Sequence, residues 1–266
     1  MIVLYHADTA VCAAKVRVVL AEKNLGFESR LIQLHLGEQF SPDYMKLNPN
    51  AVVPTLVHDG DVITESGVIN EYIDEVFPQP SLRPADAALR AKMRIWTKKE
   101  DSIHDAINTM TATMIFRHDL LQKSPAEQEA RFASMPDPAR RIKWRRMLDE
   151  GLASSIVDEA LVRFARHFRD MEKALAKGPW LTGENFTLAD AGLLSFFYRL
   201  EMLQCAGLWR DHFPAVSDWY ERAKLRPSFE KAISGMIPPG AHEKYAAIAG
   251  PLWPQVDAGF RKALAV

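Results

Sequence analysis

The pattern of apolar and polar positions divides the chain into a short part with strand-like runs and a long helical part. Ile2 to Tyr5 is an apolar run of strand length, and Phe27 to Leu34 predicts a second strand. Apolar positions at helical spacing between them predict a helix from about Val11 to Asn24, and Gly26 just past it is a stop signal. We therefore expect a buried strand, a helix and a second strand in this order.

The next segment predicts a hairpin that runs into a helix. Val53-Pro54 enters a strand, Asp59-Gly60 reverses it, and a second short strand reaches Thr64-Glu65-Ser66. Because proline has no N–H to donate, Pro54 belongs at the first residue of a strand or at an edge, where its peptide bond can be cis. An apolar stripe then predicts a helix to Val76. This order of elements is typical of thioredoxin-like α/β domains.

A proline-rich stretch separates these elements from a helical remainder. Pro78, Pro80 and Pro84 lie within seven residues and mark the best linker in the chain. All later segments have helical apolar spacing, so we expect an all-helical second part. The predicted organisation is a thioredoxin-like domain at 1–77, a linker at 78–86 and an all-helical domain at 87–266.

Three features organise the helical part. Asp86 to about Leu121 predicts one long helix, and a charged segment after it is interrupted by Pro136 and Pro138. Thr187-x-x-Asp190 has the spacing of a capping box, in which each partner satisfies an unpaired N–H at a helix start.

Composition narrows the class of protein. The net charge of −1 favours neither nucleic acid nor an anionic membrane as a partner, and no apolar run approaches the roughly 20 residues that span a bilayer. The first residues lack the regions of a signal peptide. Cys12 and Cys205 are too few for a disulfide scaffold, and we expect Cys205 to be structural. We expect a cytoplasmic protein without a metal site.

Two features, one at each end of the hairpin, predict a binding site for a peptide-like anion. Val53 is held extended by the proline that follows it, which leaves its backbone groups available for pairing. Glu65 and Ser66 stand where a helix begins, and the N–H groups and dipole of a helix N-terminus attract a carboxylate.

The segment from Asn48 to Val76 resembles the glutathione-binding half of the glutathione S-transferase superfamily, and the phrases Trp180 to Asp190 and Asp218 to Phe229 resemble its second domain. The resemblance implies that glutathione is the cosubstrate, that the protein is a homodimer, and that its strands share one sheet. It further implies three glutathione contacts: Val53-Pro54 with the cysteinyl backbone, Glu65 and Ser66 with the γ-glutamyl end, and Gln39 with the glycine end.

Such an enzyme must lower the pKa of the glutathione thiol, because the thiolate is the nucleophile. Many family members place a tyrosine or serine just after the first strand, where this chain has Ala10-Val11-Cys12. Cys12 is therefore the main catalytic candidate and Thr9 a weaker one. Cys12 could stabilise the sulfur, form a mixed disulfide with it or reduce a glutathionyl adduct. The alternative is an ordinary buried cysteine.

The resemblance leaves three subfamilies open, which are bacterial β-etherases, tetrachlorohydroquinone dehalogenases and zeta-class isomerases. All act on aromatic or ring-derived compounds, so a hydrophobic aromatic molecule is the expected second substrate. The long helix offers His104, Asn108 and Thr111, with Met114, as residues that could bind it. Two further hypotheses are a non-catalytic glutathione or ligand binder and a subunit that serves only in assembly.

Overall fold

The computed structural model describes residues 1–135 and 137–266, so Pro136 lies outside the described residues. The first part of the chain alternates strands and helices, as the hydrophobic pattern predicts. Its elements are β1 (Ile2–His6), α1 (Val11–Glu22), β2 (Glu28–Leu31), α2 (Pro42–Leu47), β3 (Thr55–His58), β4 (Asp61–Ile63) and α3 (Ser66–Val76).

The four strands form one sheet in the order β2-β1-β3-β4. β1 runs parallel to β2 and antiparallel to β3, and β3 and β4 form the hairpin. Leu4 and Leu56 on the central strands are fully buried, as are Ile69 and Ile73 of α3. The α/β fold expected for this part is therefore confirmed, including the single sheet of parallel and antiparallel strands.

Helix α1 ends two residues earlier than its apolar pattern predicts. Asn24, and not Gly26, adopts the left-handed conformation after the helix, with a φ of 53°. The N–H of Leu25 donates to the carbonyl of Leu20 at 2.9 Å, which is the closing bond of a Schellman motif. Asparagine is one of the few residues besides glycine that adopt the left-handed conformation, so the helix ends before the glycine that the prediction used as its stop signal.

The rest of the chain is helical, which confirms the second half of the predicted fold. α4 and α5 are joined by a π-helical turn at Ala112–Phe116, so the predicted long helix continues to Leu121 with altered winding. The helices are α4 (Ala87–Thr111), α5 (Arg117–Leu121), α6 (Pro125–Ala133), α7 (Pro138–Glu150), α8 (Ser155–Leu175), α9 (Leu188–Met202), α10 (Gly207–Arg210), α11 (Pro214–Lys224), α12 (Pro227–Ala232), α13 (Ala241–Ala249) and α14 (Trp253–Leu264).

The chain folds into two compact units, each assembled from three separate segments. The first contains Met1–Glu100, Met171–Tyr198 and Ala215–Pro238, and the second contains Asp101–Asp170, Arg199–Pro214 and Pro239–Val266. The predicted domain boundary near residue 77 stays a prediction. Among the described residues, no helix is both long and apolar enough to cross a membrane.

Asp190 is the centre of the helix start at α9. Its carboxylate accepts hydrogen bonds from the N–H groups of Leu181 and Thr187, each at 3.0 Å, and from Nε1 of Trp219 at 2.9 Å. The Thr187 hydroxyl also donates to Asp190, at 3.1 Å. The predicted capping box is therefore only half formed, because Thr187 uses its hydroxyl as a donor to the buried carboxylate.

Candidate functional site

The strand register brings the predicted site segments to one edge of the sheet. Tyr5 pairs with Thr55, so the loop after β1 lies beside the residues that enter β3. Leu56 pairs with Ile63, so the residues that leave β4 lie at the same end of the hairpin. Side-chain packing agrees, since Ala7 and Val53 belong to one small buried cluster. Thr9, Cys12, Val53, Pro54, Glu65 and Ser66 therefore lie on segments that converge at this edge.

The first component of the site is the N-terminus of α1. Ala10 is the N-cap residue and makes no side-chain hydrogen bond to the helix, and the first turn contains no acidic residue. Cys12 lies in that turn, partly exposed, and forms no disulfide. Thr9 lies in the preceding turn and is also partly exposed. The dipole of this helix end favours an anion, and no acidic side chain of the turn competes for its N–H groups.

The second component is the Val53-Pro54 peptide bond, which is cis. Side chains from α2 and the loop after it hold the backbone just before this bond. The Tyr44 hydroxyl and Nδ2 of Asn48 both donate to the carbonyl of Val52, at 2.6 and 3.0 Å. Asn48 also reaches Oγ1 of Thr55 at 3.1 Å. Sequence reasoning missed this network.

The third component is the N-terminus of α3. Glu65 is its N-cap residue, exposed, with a φ of 66° and a ψ of 111°. A non-glycine residue in this region is an outlier, and such outliers cluster at functional sites. Ser66 follows it and is buried. One turn later, Oδ1 of the buried Asn70 has no hydrogen-bond partner within the described residues.

Gln39 lies in a 3₁₀ turn at Glu38–Phe40 and is buried. Its Nε2 donates weakly to the carbonyl of Leu34 at 3.5 Å, whereas its Oε1 has no partner in the described part of the chain. A buried acceptor without a partner costs free energy unless another donor reaches it. This amide therefore has the capacity to accept one more hydrogen bond.

Two residues that the sequence analysis did not single out, Arg17 and His6, fix the loop between β1 and α1. Arg17 donates to the carbonyls of Ala7 and Asp8, at 3.0 and 2.9 Å. It also contacts Nδ1 of His6 at 3.2 Å. Both side chains are buried, and burial followed by the charge of Arg17 lowers the pKa of His6 to about 4. His6 is therefore neutral near pH 7.

His104, Asn108 and Thr111 belong to the second compact unit. His104 Nε2 and Asn108 Nδ2 lie 3.1 Å apart on one face, with Asn108 exposed. Thr111 is buried, and its hydroxyl donates to the carbonyl of Ile107 at 2.8 Å. The structure thus brings His104 and Asn108 together and leaves Thr111 separate, because a threonine inside a helix satisfies its hydroxyl on the preceding turn.

Cys205 lies in the interior of the same unit. Its Sγ lies 3.9 Å from Sδ of Met114, and burial raises the pKa of its thiol to about 12. Such a thiol is a poor nucleophile. No group of three or more potential metal ligands was found among the histidine, cysteine, aspartate and glutamate residues that the structure describes.

Comparison with known proteins identifies the family. The models described as "Glutathione S-transferase, N-terminal domain" and "Glutathione S-transferase, C-terminal domain" match residues 2–75 and 154–222. Protein LigF of Sphingobium sp. strain SYK-6 is 31% identical over 237 residues, which is 86% of this chain and 91% of that protein.

Two further similarities agree with this result. The tetrachloro-p-hydroquinone reductive dehalogenase of Sphingobium chlorophenolicum is 27% identical over 236 residues, 86% of this chain and 94% of that enzyme. The crystal structure of the β-etherase LigF covers 87% of this chain and 98% of its own, with 30% identity and a TM-score of 0.76. The chain therefore belongs to the glutathione S-transferase family, whose enzymes use glutathione as cosubstrate.

Proposed function

We propose that this enzyme binds glutathione at the sheet edge described above and uses its thiolate to cleave an aryl ether in a hydrophobic aromatic substrate. The convergence of the cis Val53-Pro54 bond with the N-termini of α1 and α3 at one sheet edge carries this proposal. The β-etherase relative supports the choice of reaction. A cytoplasmic homodimer is part of the proposal, by analogy with the family.

Each end of glutathione has a matching group in this arrangement. The backbone of Val53 pairs with the cysteinyl residue, and Glu65 and Ser66 hold the charged γ-glutamyl end at the start of α3. The unpartnered Oε1 of Gln39 accepts an N–H from the glycine end. The thiol then lies at the start of α1, where the N–H groups favour the thiolate.

Cys12 acts in this proposal as a hydrogen-bond donor to the sulfur, with Thr9 in a supporting role. Its S–H is a weak donor, and it lies in the first turn of α1 where the thiolate forms. In the reaction, sulfur forms a bond to the carbon that carries the ether oxygen. The carbon–oxygen bond breaks with its electron pair on oxygen, and the phenolate takes up a proton. His104 and Asn108 are the proposed contacts for the aromatic substrate.

A second candidate is glutathione-dependent reductive dehalogenation with Cys12 as a thiol nucleophile. It is favoured by the partial exposure of Cys12 and by the dehalogenase relative. The two candidates differ in what they require at position 12. Ether cleavage needs only a donor there, whereas thiol exchange needs a sulfur atom.

The test measures turnover of a β-aryl ether and of a chlorohydroquinone with glutathione, in the wild type and in Cys12→Ala and Cys12→Ser. We expect ether cleavage to fall about tenfold in Cys12→Ala and to stay within about threefold of wild type in Cys12→Ser, because serine keeps a donor. Glutathione affinity should be unchanged in both variants. Cys205→Ala is the control for loss of a buried cysteine.

Three outcomes would contradict this proposal. Ether cleavage at the wild-type rate in Cys12→Ala would remove Cys12 from the mechanism and leave activation to the helix N-terminus alone. Chlorohydroquinone turnover that is lost in both variants would support the dehalogenase candidate instead. Glutathione binding without turnover of either compound would show that the second substrate belongs to another class.

A further inference from the structure

We propose that Arg17 is a positioning residue for thiolate formation, which acts by fixing the backbone of the loop between β1 and α1. The inference rests on the proposed function, since this loop carries Thr9 and leads directly into the helix turn with Cys12. Arg17 itself touches neither glutathione nor the second substrate in this proposal.

The contacts of the Arg17 guanidinium are distributed over the loop and one distant helix. Two nitrogens donate to consecutive carbonyls of the loop, those of Ala7 at 3.0 Å and Asp8 at 2.9 Å. The remaining nitrogen, Nε, donates to the carbonyl of Ala232 at the end of α12, at 2.9 Å. A planar, rigid donor group thus ties the loop to α12, which a flexible ammonium group would do less well.

His6 completes the clamp on the β1 side. Because a guanidinium only donates, Nδ1 of His6 must accept the 3.2 Å contact from Arg17. The proton of the neutral ring is then on Nε2, which donates to Oγ of Ser29 on β2 at 2.7 Å. Three consecutive residues, His6, Ala7 and Asp8, are therefore held by one side chain immediately before the site.

The electrostatic cost of this arrangement indicates a role beyond ordinary packing. Arg17 is 3% exposed, and its hydrogen-bond partners among the described residues are neutral groups. Burial lowers the pKa of Arg17 to about 10, against a smaller attraction from Asp8. A buried cation that bonds only neutral groups is costly, whereas an apolar side chain of similar size would not be. What the cation adds is simultaneous hydrogen bonding to three carbonyls.

The helix geometry shows why the effect must pass through the loop. Arg17 follows Cys12 by five residues, which places it about 7.5 Å further along the axis and about 140° around the helix. Its side chain therefore leaves α1 on a different face from Cys12. A shift of the loop, by contrast, moves Thr9 and the first N–H groups of α1 directly.

The chain offers a matched control at the other end of the same helix pair. Arg226, at the start of α12, makes a two-point contact with the carboxylate of Glu22 in the last turn of α1, at 2.7 and 2.6 Å. It therefore bridges α1 and α12 as Arg17 does. These bonds hold the far end of α1 rather than the β1–α1 loop, and the whole length of the helix separates them from Cys12.

The experiment compares Arg17→Met with Arg226→Met. The pKa of bound glutathione is read from the ultraviolet absorbance of its thiolate as the pH is varied, and S-methylglutathione reports binding independently of the thiol. We expect both variants to unfold at lower urea concentration. Only Arg17→Met should raise the pKa of the bound thiol, by about one pH unit, with S-methylglutathione affinity changed less than about threefold.

Arg17→Lys keeps the experiment decisive if Arg17→Met does not fold. Lysine keeps the positive charge but lacks the planar set of N–H donors of the guanidinium. We therefore expect the pKa of the bound glutathione thiol to rise by about half a pH unit. A thiol pKa that is unchanged in a folded Arg17 variant, or raised equally in Arg226→Met, would overturn the proposal. A wild-type protein that binds neither glutathione nor S-methylglutathione would instead refute the proposed function.

Discussion

Helices α1 and α9 both begin in the first compact unit, yet their N-termini are built in opposite ways. The start of α9 is closed by Asp190, which accepts hydrogen bonds from Leu181, Thr187 and Trp219. The start of α1 has Ala10 as its N-cap residue, without a side-chain bond and without an acid in the first turn. Asp190 satisfies the N–H of Thr187 at the start of α9, whereas Ala10 supplies no side-chain acceptor at the start of α1.

The start of α3 is built like that of α1. Glu65 makes no side-chain bond to the helix, and the first turn contains no acid. Missing caps alone do not mark a site, since α12 and α13 also lack a side-chain cap. What distinguishes α1 and α3 is that both begin at the sheet edge where the cis Val53-Pro54 bond lies. The absence of a cap is informative only in combination with that position.

The largest expected effect is the loss of stability when Asp190, which caps the start of α9, is replaced. Asp190→Ala removes the acceptor of four hydrogen bonds from a fully buried place. Burial raises the pKa of Asp190, and the same four bonds oppose that rise. We expect the free energy of unfolding to fall by about 3–5 kcal/mol, because buried donors lose their partner.

Urea unfolding checks this prediction, and Asp190→Asn is the control. Asparagine keeps one oxygen acceptor, so its loss should be about half as large. Glutathione affinity of the protein that remains folded should change less than about twofold, because Asp190 lies at the start of α9 and not at the sheet edge. A loss below about 1 kcal/mol in Asp190→Ala would contradict the structural role assigned to this cap.

The second prediction concerns the loop before α1, whose backbone Arg17 and His6 hold in place. The pKa of buried His6 is lowered to about 4, from 6.5. Between these values the unfolded chain binds more protons than the folded one, so stability falls as the pH is lowered through that window. We expect a loss on the order of 2 kcal/mol from pH 6.5 to pH 4.

The measurement is the free energy of unfolding as a function of pH, in the wild type and in His6→Asn. Asparagine does not titrate here, so the variant should show a flatter dependence between pH 4 and 6.5. Other groups titrate in the lower part of this range, and the difference between the two profiles isolates His6. Two profiles of equal slope would mean that His6 is already accessible to protons in the folded protein.

The fold was predictable because its signals are local. The apolar run of β1, the proline at the entry to β3 and the turn at Asp59-Gly60 each act on a few neighbouring residues. Where a local rule allows two residues, the sequence did not decide between them. Asn24 and Gly26 both suit the end of α1, and the residue that adopts the left-handed conformation is Asn24.

The site was predictable only where it consists of backbone at element ends. Val53, Glu65 and Ser66 could be expected at one place because strand ends and helix starts are visible in the pattern. The side chains that hold them could not. Arg17 bonds a carbonyl 215 positions away, and Tyr44 bonds the carbonyl of Val52, and no spacing rule links a side chain to a distant carbonyl.

The third prediction concerns a substitution that gives α1 the side-chain N-cap that it lacks. Ala10→Asp supplies the missing N-cap acceptor and a charge that suits the helix dipole, so we expect stability to rise by about 1 kcal/mol. The same carboxylate competes with the glutathione thiolate for the N–H groups and repels it. The kcat/KM for glutathione should therefore fall about tenfold, with the pKa of the bound thiol raised.

Ala10→Asn separates the two causes, because asparagine caps the helix without a charge. It should give a similar gain in stability with a smaller loss of activity, measured by urea unfolding and steady-state kinetics. Partly exposed Ala10 packs against the cluster of Tyr44 and Val53, so both variants place their side chain at the site itself. Full activity in Ala10→Asp would mean that the thiolate forms elsewhere.

The smallest expected effect concerns the start of α3. Glu65 has a φ of 66°, and glycine tolerates a positive φ better than a residue with a Cβ does. Glu65→Gly should therefore stabilise the protein by about 0.5–1 kcal/mol, while the loss of the carboxylate weakens glutathione binding about tenfold. Gln204→Gly is the matched control, because exposed Gln204 has a φ of 59° and lies two residues after the end of α9. It should gain similar stability at unchanged glutathione affinity.

If Glu65→Gly lost stability while Gln204→Gly gained it, the Glu65 side chain would be stabilising the fold. The proposed exchange of stability for ligand binding at α3 would then be wrong.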